Sequence, residues 1–348
     1  MVPVHWTSGR LGPWGLLVRE SKATNDQVKE MKILLLVQDE QRVILDKLYL
    51  AIAAAVEACE IRRLDSAQQA NLRRYFRDID VHSYDRIVLF LRFKKEIRQR
   101  RFLRTLPNLV FLEHDAYQNY IPCKYQGTFS RHYAALPWVR VISSGSEVVR
   151  RLCAEGVDAV FVPKGYDQQA MSNLGQPRDI EMAFLGSIKS QAYEGRRAFL
   201  EALREHENLL ITRTASGDEY VRTLNRIRFF VSADVGMGEY MIKNFEAMAC
   251  GCVLLASNQG ASENAALGFV DMKNVVLYRS LAECQNKLRQ LRADPCLAND
   301  IAQAGCSLAR ASFGYDSIAP RIAEALRPPL RQPVIRRVLG IAWSVGWQ

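Results

Sequence analysis

The sequence predicts an α/β protein built from doubly wound parallel sheets. Short apolar runs rich in Val, Ile, Leu and Phe alternate with longer amphipathic segments along most of the 348 residues. The apolar runs are continuous, which is typical of strands buried on both faces of a parallel sheet. The segments between them have helical spacing, and regular strand–helix alternation indicates βαβ units.

The predicted strands fall into two series. The first comprises Ile33–Val37, Ile87–Leu91, Leu109–Leu112, Val139–Ile142 and Val160–Val162, and the second comprises Met182–Leu185, Leu209–Thr212, Phe229–Ser232, Val253–Ala256 and Val275–Leu277. Between the series lies Tyr166–Asp179, where Gly175 and Pro177 stand among polar residues. Such a composition is typical of a linker, so the chain is predicted to form two sheets.

Predicted helices occupy the intervals. They are Glu147–Ala154, Ala192–His206, Leu281–Arg292, Leu297–Arg310 and Tyr315–Leu326. Ser143, Ser144 and Ser146 are candidates for the N-cap of the first of these, because a serine hydroxyl accepts from the free amides of a helix start. Asp294-Pro295 predicts a boundary between the third and the fourth helix.

The chain length and the two series predict two Rossmann-like domains facing a central cleft, at residues 31–163 and 164–310. Residues 311–348 are predicted to be a terminal crossover helix and a basic tail. Met31 directly precedes the first predicted strand. We therefore expect residues 1–30 to be an extension with little order. Ligands in open α/β sheets bind beyond the carboxyl ends of the strands, so the cleft is the predicted site.

The net charge and the cysteine pattern narrow the range of possible partners and functions. The net charge of +10 favours an anionic partner, such as nucleic acid, an anionic membrane face or a phosphorylated substrate. Zinc-finger spacing, an RNP-like segment and a KH-type loop are absent from the sequence, so nucleic acid is not the expected partner. No apolar run reaches eighteen residues. The eight cysteines lack a C-x-x-C pair and are predicted to be reduced, buried thiols of a cytoplasmic protein, with Cys59, Cys153 and Cys284 in helical patterns.

One segment of the first domain is crowded with positive charge. It contains Arg92, Lys94, Lys95, Arg98, Arg100, Arg101 and Arg104, with apolar residues interspersed. It is either a solvated helical face or a docking surface for an anionic membrane. In the tail, Arg327, Arg331, Arg336 and Arg337 precede Trp343 and Trp347, which also fits peripheral attachment to the inner face of the cytoplasmic membrane.

The most informative stretch is GEYMIKNFEAMACGCVLLASNQGASE, from Gly238 to Glu263. It predicts a helix that Gly251 ends, followed by a buried strand. Glu246 lies near the start of this helix, where a carboxylate can accept hydrogen bonds from the two hydroxyls of a ribose. The amides and the dipole of the helix can meet a pyrophosphate at the same end. The alternative is that Glu246 is a solvated helix residue.

The segment FEAMACGCVLLAS resembles the signature of the retaining GT-B glycosyltransferases, in the abbreviated form of the spore-maturation-protein-like branch. The resemblance implies an N-terminal acceptor domain and a C-terminal donor domain that transfer a sugar from a nucleoside diphosphate sugar. It implies that Glu246 binds the ribose. It also implies a second glutamate near the donor sugar, for which Glu239 is the candidate, although it stands seven residues upstream where the family has eight.

Two further segments carry the resemblance into the donor domain. VFVPKGYD at 160–167 is similar to the inter-domain segment of the family, with Lys164 where Asn is usual. MAFLGSIKS at 182–190 resembles the first strand and glycine turn. There the turn at Gly186 and Ser187 would let backbone amides approach the phosphates. The basic side chains that the family places next are predicted to be Lys189 and Arg196.

Lys243 and Asn244 precede Glu246 on the same predicted helix and join the predicted nucleotide-binding residues. In the first domain, FLEHDAY at 111–117 resembles the strand-end His-Asp pair whose His faces the transferred sugar. His114 and Asp115 are therefore predicted at the catalytic site with Glu239. Asp115 either holds the tautomer of His114 or caps the next helix.

The resemblance implies catalysis without a metal or another cofactor, with retention of anomeric configuration. Positive side chains and oriented amides would stabilise the leaving diphosphate. Asp78-Ile79-Asp80 matches the D-x-D pattern of metal-dependent transferases, but it precedes a predicted strand instead of following one, so we reject it as a metal site.

The predicted function is transfer of a sugar to a cell-envelope glycan or a lipid-linked acceptor, as in lipopolysaccharide or polysaccharide biosynthesis. Two alternatives stay open at this point. One is a GT-B phosphorylase or epimerase, and the other is a non-catalytic nucleotide-binding or scaffold protein of the same fold.

Overall fold

A computed structural model describes residues 31–39, 45–189, 193–338 and 341–347, with the backbone alone for residues 334–338 and 341–346. The predicted extension at residues 1–30 lies outside the described residues.

The first sheet has six parallel strands in the order β2-β1-β3-β4-β5-β6. They are β1 (Lys32–Gln38), β2 (Ala58–Leu64), β3 (Arg86–Phe90), β4 (Leu109–Glu113), β5 (Arg140–Ser143) and β6 (Asp158–Phe161). Strand β2 was not predicted, because its sequence ACEIRRL carries three charges. It lies at the edge of the sheet and is only partly buried. Cys59 lies in this strand, so its predicted helical setting is wrong.

The second sheet has five parallel strands in the order β11-β10-β9-β7-β8. They are β7 (Ile180–Leu185), β8 (Leu210–Thr212), β9 (Ile227–Ser232), β10 (Val253–Ser257) and β11 (Val276–Tyr278). The inner strands are buried on both faces, as their continuous apolar sequences require. The predicted α/β class with two parallel sheets is confirmed.

Helices cover the faces of both sheets. Those of the first half are α1 (Asp46–Ala54), α2 (Ser66–Ala70), α3 (Leu72–Tyr75), α4 (Phe93–Glu96), α5 (Arg100–Leu103), α6 (Thr128–Ala134) and α7 (Ser146–Ala154). The later ones are α8 (Glu194–His206), α9 (Asp218–Arg226), α10 (Ile242–Ala249), α11 (Ala261–Leu267), α12 (Leu281–Ala293), α13 (Pro295–Ser312) and α14 (Tyr315–Leu326). None of the described helices is both long and apolar enough to cross a bilayer.

Capping was predicted correctly at the start of α13 and wrongly at the start of α7. Asp294 caps α13 by accepting from the amide of Leu297, with Pro295 in the first turn, as the sequence predicted. The serine caps predicted for α7 are wrong. The N-cap residue is Gly145, which has no side chain to offer.

Helix α14 returns to the first half of the molecule after the second sheet is complete. Tyr315, Ile318 and Ile322 pack in the same hydrophobic cluster as the first strand and α1. Arg140 donates to the carbonyl oxygens of residues 325, 328 and 329 and so fixes the end of the helix. An antiparallel hairpin of β12 (Pro333–Val338) and β13 (Ile341–Trp347) follows where only a basic tail was predicted.

The cysteines are free thiols. Cys250, Cys252, Cys284 and Cys306 are buried as predicted, whereas Cys153 and Cys296 are exposed, which corrects the prediction for these two. Burial raises the pKa of Cys252 to about 12, so this thiol is protonated and unreactive at neutral pH.

Candidate active site

Loops that follow the carboxyl ends of strands in the two sheets contact each other directly. Glu239, beyond β9, lies against Ser144, beyond β5, and against Lys164, beyond β6. Glu263, beyond β10, accepts from the backbone amide of Glu147 at the start of α7. The predicted site at the carboxyl ends of the strands therefore lies between the two sheets.

Glu246 lies on α10 and is buried, in a cluster at the carboxyl end of β7. The hydroxyl of Tyr220 on α9 donates to its Oε2 atom over 2.6 Å. The ammonium group of Lys243 donates to the carbonyl oxygen of Leu185 and lies 5.7 Å from the ring centroid of Tyr220. Glu246 is therefore not a solvated helix residue.

Gly186 brings the backbone of the β7 turn close to Lys243. A Cβ atom at this position would lie 2.9 Å from Lys243 Nζ, so a larger residue would displace the ammonium group. The turn thus places a peptide backbone, a lysine and a buried carboxylate side by side. A pyrophosphate and a ribose need donors and an acceptor of these kinds.

Asp234 occupies the amino end of α10, which the sequence predicted as a pyrophosphate site. Its Oδ2 atom accepts from the amide of Met241 and from Asn244 Nδ2, at 3.1 and 2.8 Å. The side chain of Asn244 is thus engaged inside the protein. The positive end of the helix already has a carboxylate partner.

Arg196 is nine-tenths buried and pairs with the same aspartate, with Nη2 2.6 Å from Asp234 Oδ1. Its Nη1 atom donates to the carbonyl oxygen of Ser187 over 3.3 Å, and the guanidinium lies over the ring of Tyr193. Arg196 therefore braces the turn after β7. Its Nε atom has no hydrogen-bond partner among the described residues.

Lys189 is exposed at the end of this turn, and its backbone amide donates to Ser187 Oγ over 3.4 Å. Its side chain makes no contact with the buried cluster among the described residues. Lys189 and Ser187 stay predictions as phosphate-binding residues.

Glu239 is fully buried between the two halves. Its Oε1 atom lies 2.5 Å from Lys164 Nζ, and Ser144 Oγ donates to Oε2 over 3.2 Å. A Cβ atom at Gly145 would lie 2.6 Å from Oε2, so this close approach depends on glycine. Burial raises the pKa of Glu239, and the charge of Lys164 opposes that rise.

His114 follows β4 and packs edge-on against Phe90, with ring centroids 5.0 Å apart. Burial, helped by the charge of Lys164, lowers the pKa of His114 to about 3. The imidazole is therefore neutral at physiological pH and can give or accept a hydrogen bond without carrying charge.

Asp115 is exposed, but the protein around it partly desolvates its carboxyl group. This desolvation raises the pKa of Asp115, and the charge of Lys164 opposes the rise. Its side chain does not cap the short 3-10 helix Ala116–Asn119, so that predicted alternative is wrong. No hydrogen bond joins it to His114 among the described residues, so the alternative that it holds the tautomer has no support either.

Two carboxyl groups that the sequence did not single out complete this region. Burial raises the pKa of Glu113 well above its usual range, with Asp115 the next cause. Burial, and then the charge of Glu239, raises the pKa of Glu263 to about 7. The charge of Lys164 opposes the rise at Glu263, and the region thus holds a carboxyl group that titrates near neutral pH.

Asp78 and Asp80 lie before β3, at the amino end of the first sheet. Asp80 accepts from the amide of His82 and so caps a short 3-10 helix. Among the described residues, no three His, Cys, Asp or Glu side chains converge as metal ligands would.

A cavity of about 420 Å³ opens between the two halves beside this region. Glu147 and Arg151 of α7 line one wall, and residues 236, 238 and 258–262 line the other. Residues Gly236, Gly238 and Gly260 have positive φ angles of 72°, 73° and 109°, so both loops on this wall turn where other residues would be strained.

Comparison with known proteins agrees with this fold. Residues 173–324 match the family model described as glycosyl transferase-like. The structure resembles that of sucrose-phosphate synthase from Thermosynechococcus elongatus, with a TM-score of 0.60, 13% identity, and coverage of 85% of this chain and 98% of that one.

Two more structures are similar. Anabaena HepE, solved with UDP and glucose, has a TM-score of 0.62 and 14% identity over 85% of this chain and 99% of that one. T4 phage BGT, solved with UDP and Mn²⁺, has a TM-score of 0.55 and 14% identity over 86% of this chain and 100% of that one. No curated protein sequence matches the chain.

Proposed function

We infer that this chain is a glycosyltransferase of GT-B fold that transfers a sugar from a nucleoside diphosphate sugar to a cell-envelope glycan or lipid-linked acceptor. The fold predicted from the sequence is confirmed, and residues 173–324 match the glycosyl transferase-like family model, which supports glycosyl transfer. The donor, the acceptor, the stereochemistry and the site residues are the proposal.

The cluster of Gly186, Tyr220, Lys243 and Glu246 is the observation that carries the proposal. Glu246 has a buried carboxylate that can accept from ribose hydroxyls, because charged acceptors form the stronger hydrogen bonds. Lys243 lies three residues before it on α10 and against the Gly186 turn, and the two offer positive charge and backbone amides to a diphosphate. HepE and BGT were solved with UDP, which makes UDP the first nucleotide to test.

Catalysis would depend mainly on stabilising the diphosphate of the donor as it leaves. As the bond from the anomeric carbon to the phosphate oxygen lengthens, negative charge grows on the leaving diphosphate. Lys243, with Lys189 and Arg196 as further candidates, would stabilise this charge. The neutral imidazole of His114 would hydrogen-bond the transferred sugar. Asp115 and Glu239 stay predictions as catalytic residues, with Glu239 held in its buried ion pair with Lys164.

We propose that the reaction needs no metal and retains anomeric configuration. The basic side chains at the end of β7 support the first part, because they can do the work of a divalent ion. The signature at Glu246 supports the second. BGT was solved with Mn²⁺, so the fold does not decide the question, and activity in EDTA tests it.

The proposal for the acceptor rests on the positive charge of the segment from Arg92 to Arg104. Lys94, Arg98, Arg101 and Arg104 are exposed, which fits an anionic partner at this segment, and no nucleic acid is proposed. Peripheral attachment of a cytoplasmic protein to an anionic membrane stays the predicted alternative. Of the tail, Arg336, Arg337 and Trp343 have no described side chains, and Trp347 packs against Trp138 with ring centroids 5.4 Å apart.

A thermal-shift screen against nucleoside diphosphates and their sugars tests the donor proposal. A ligand at a hundred times its dissociation constant should raise the melting temperature by about 5 °C. We expect the Lys243→Met variant to lose this shift and Lys47→Met, an exposed lysine on α1, to keep it. No shift with any nucleotide, or an equal shift in both variants, would contradict the proposal.

A further inference from the structure

A basic groove on the first half, separate from the donor cluster, lies between α2–α3 and α5. It encloses about 570 Å³ and is lined by Ala70, Asn71, Arg73, Gln99, Arg101, Phe102 and Thr105. Gln99 ties the two walls together, because it accepts from the amide of Leu72 and donates to the carbonyl of Gln69, at 2.6 and 2.7 Å. The groove is therefore a built feature of the fold.

The charge of the whole chain is concentrated around this groove. Residues 65–105 contain eleven Arg and Lys against five Asp and Glu, a net charge of +6 out of +10 for the whole chain. The nearby carboxylates are engaged elsewhere. Asp65 caps α2, and Glu96 is buried against His132.

Arg73 and Arg101 line the groove and are exposed. Neither has a carboxylate or hydrogen-bond partner in the part of the chain that the structure describes. Close to them, Arg100 has a buried Nε atom without a partner among the described residues. Like charges gathered without counter-charges repel each other, and a bound anion removes that repulsion.

The groove is connected to the proposed reaction site along the carboxyl ends of the strands of the first sheet. The register pairs Leu89 with Phe111, so Arg92 and His114, each three residues further along, leave neighbouring strands at the same level. On the other side of Arg92, Gln38 accepts from its Nε atom over 3.0 Å, and Lys95 donates to Ser66 at the start of α2. A row of basic groups thus runs from His114 to α2.

From this row and this groove we propose that the acceptor is an acidic glycan, with carboxylate or phosphate groups that bind at Arg73 and Arg101 while its growing end lies at His114. The proposal rests on the proposed glycosyl transfer and names its acceptor class. A concave groove fits a discrete chain better than the flat surface of a bilayer. The large exposed hydrophobic residues of the described chain all lie outside residues 65–105.

The test is calorimetric titration of the full chain with a galacturonic acid hexamer, with neutral maltohexaose and with phosphatidylglycerol vesicles. We expect the acidic hexamer to bind, and Arg73→Gln/Arg101→Gln to raise its dissociation constant about tenfold, which corresponds to about 1.4 kcal/mol. The control Arg204→Gln/Arg289→Gln removes the same charge from exposed helix positions of the second half. It should change binding less than about twofold, because distant exposed charges are screened.

Equal binding of both hexasaccharides, equal losses in the two double variants, or binding of vesicles alone through Arg73 and Arg101 would overturn the proposal. UDP binding is measured on the same samples. If UDP binds and the acidic hexamer does not, the acceptor class is wrong and the donor proposal stands. If UDP does not bind, the proposed function fails instead.

Discussion

Lys164 and Glu239 are the two positions at which the sequence departs from the pattern of the family that it resembles, and they contact each other. The ion pair is 2.5 Å long, and its side chains are 7% and 1% exposed. Two charges removed from water are tolerated only when they compensate each other, so a lysine at 164 requires a carboxylate at 239. The ion pair thus brings the two departures together in one contact.

We predict that Lys164→Met lowers the free energy of unfolding by about 3 kcal/mol, because it leaves Glu239 buried without a partner. Glu239→Gln added to it should recover part of the loss. Urea denaturation of the single and double variants measures both effects.

The matched control is Arg226→Met. Arg226 pairs with Asp179 at the same distance of 2.5 Å, but both side chains are half exposed. Removing an exposed pair should change stability by less than about 1 kcal/mol. A loss in Lys164→Met no larger than in this control would show that the buried pair has no special role.

Individual site residues differ in how far the sequence revealed them. His114 and Glu246 follow or precede recognisable strands, so their place at a strand end could be predicted. Tyr220 and Glu263 could not be predicted, because their partners are 26 and 116 residues away. Contacts of that range depend on how two sheets meet, and no local pattern encodes them.

At the scale of elements, α7 begins with a cap supplied by the other half of the molecule. Glu263 is 1% exposed and accepts from the amide of Glu147, where a serine of the same loop was predicted to serve. A carboxylate at a helix start satisfies free amides and interacts favourably with the helix dipole. This cap therefore joins the second sheet to the first.

The cap should make stability depend on pH. The pKa of Glu263 rises from 4.5 to about 7, because of burial and the nearby charge of Glu239. Between these values the folded protein binds one more proton than the unfolded chain. Folding is therefore favoured at pH 5, where Glu263 is protonated and its carbonyl oxygen can still accept from α7, and this contribution is lost as pH rises through 7.

Wild type should therefore lose about 2.5 kcal/mol more than Glu263→Gln between pH 5 and pH 8. Gln keeps an oxygen that can accept from α7 but does not titrate. Unfolding free energies measured across this range, with Glu205→Gln on the exposed face of α8 as control, give the comparison. Parallel curves for wild type and Glu263→Gln would refute the prediction.

The strands were the most predictable elements, because short continuous apolar runs are typical of strands that are buried on both faces of a parallel sheet. The edge strand β2 was not predicted. It pairs with a neighbour on one side only, and its partly exposed side tolerates charged residues. The hairpin of β12 and β13 was not predicted either. Its sequence follows a proline- and arginine-rich stretch that gave no strand signal.

At the scale of the whole molecule, two parallel sheets meet through the loops at their carboxyl ends, and α14 crosses back to close the first half. The sequence could predict this arrangement from alternation and from the resemblance. It could not predict which side chains bridge the halves. The proposed function depends on one claim: the turn after β7, with Lys243 and Glu246 of α10, binds a nucleoside diphosphate, and Glu246 accepts from the ribose.

The most direct test is calorimetric titration with UDP and with 2′,3′-dideoxyuridine diphosphate, on wild type and on Glu246→Ala. If Glu246 accepts from the ribose hydroxyls, their removal should weaken binding to wild type about a hundredfold, or about 2.7 kcal/mol. Glu246→Ala should discriminate between the two nucleotides less than about threefold. Equal discrimination by wild type and variant, or no binding of UDP to wild type, would contradict the account.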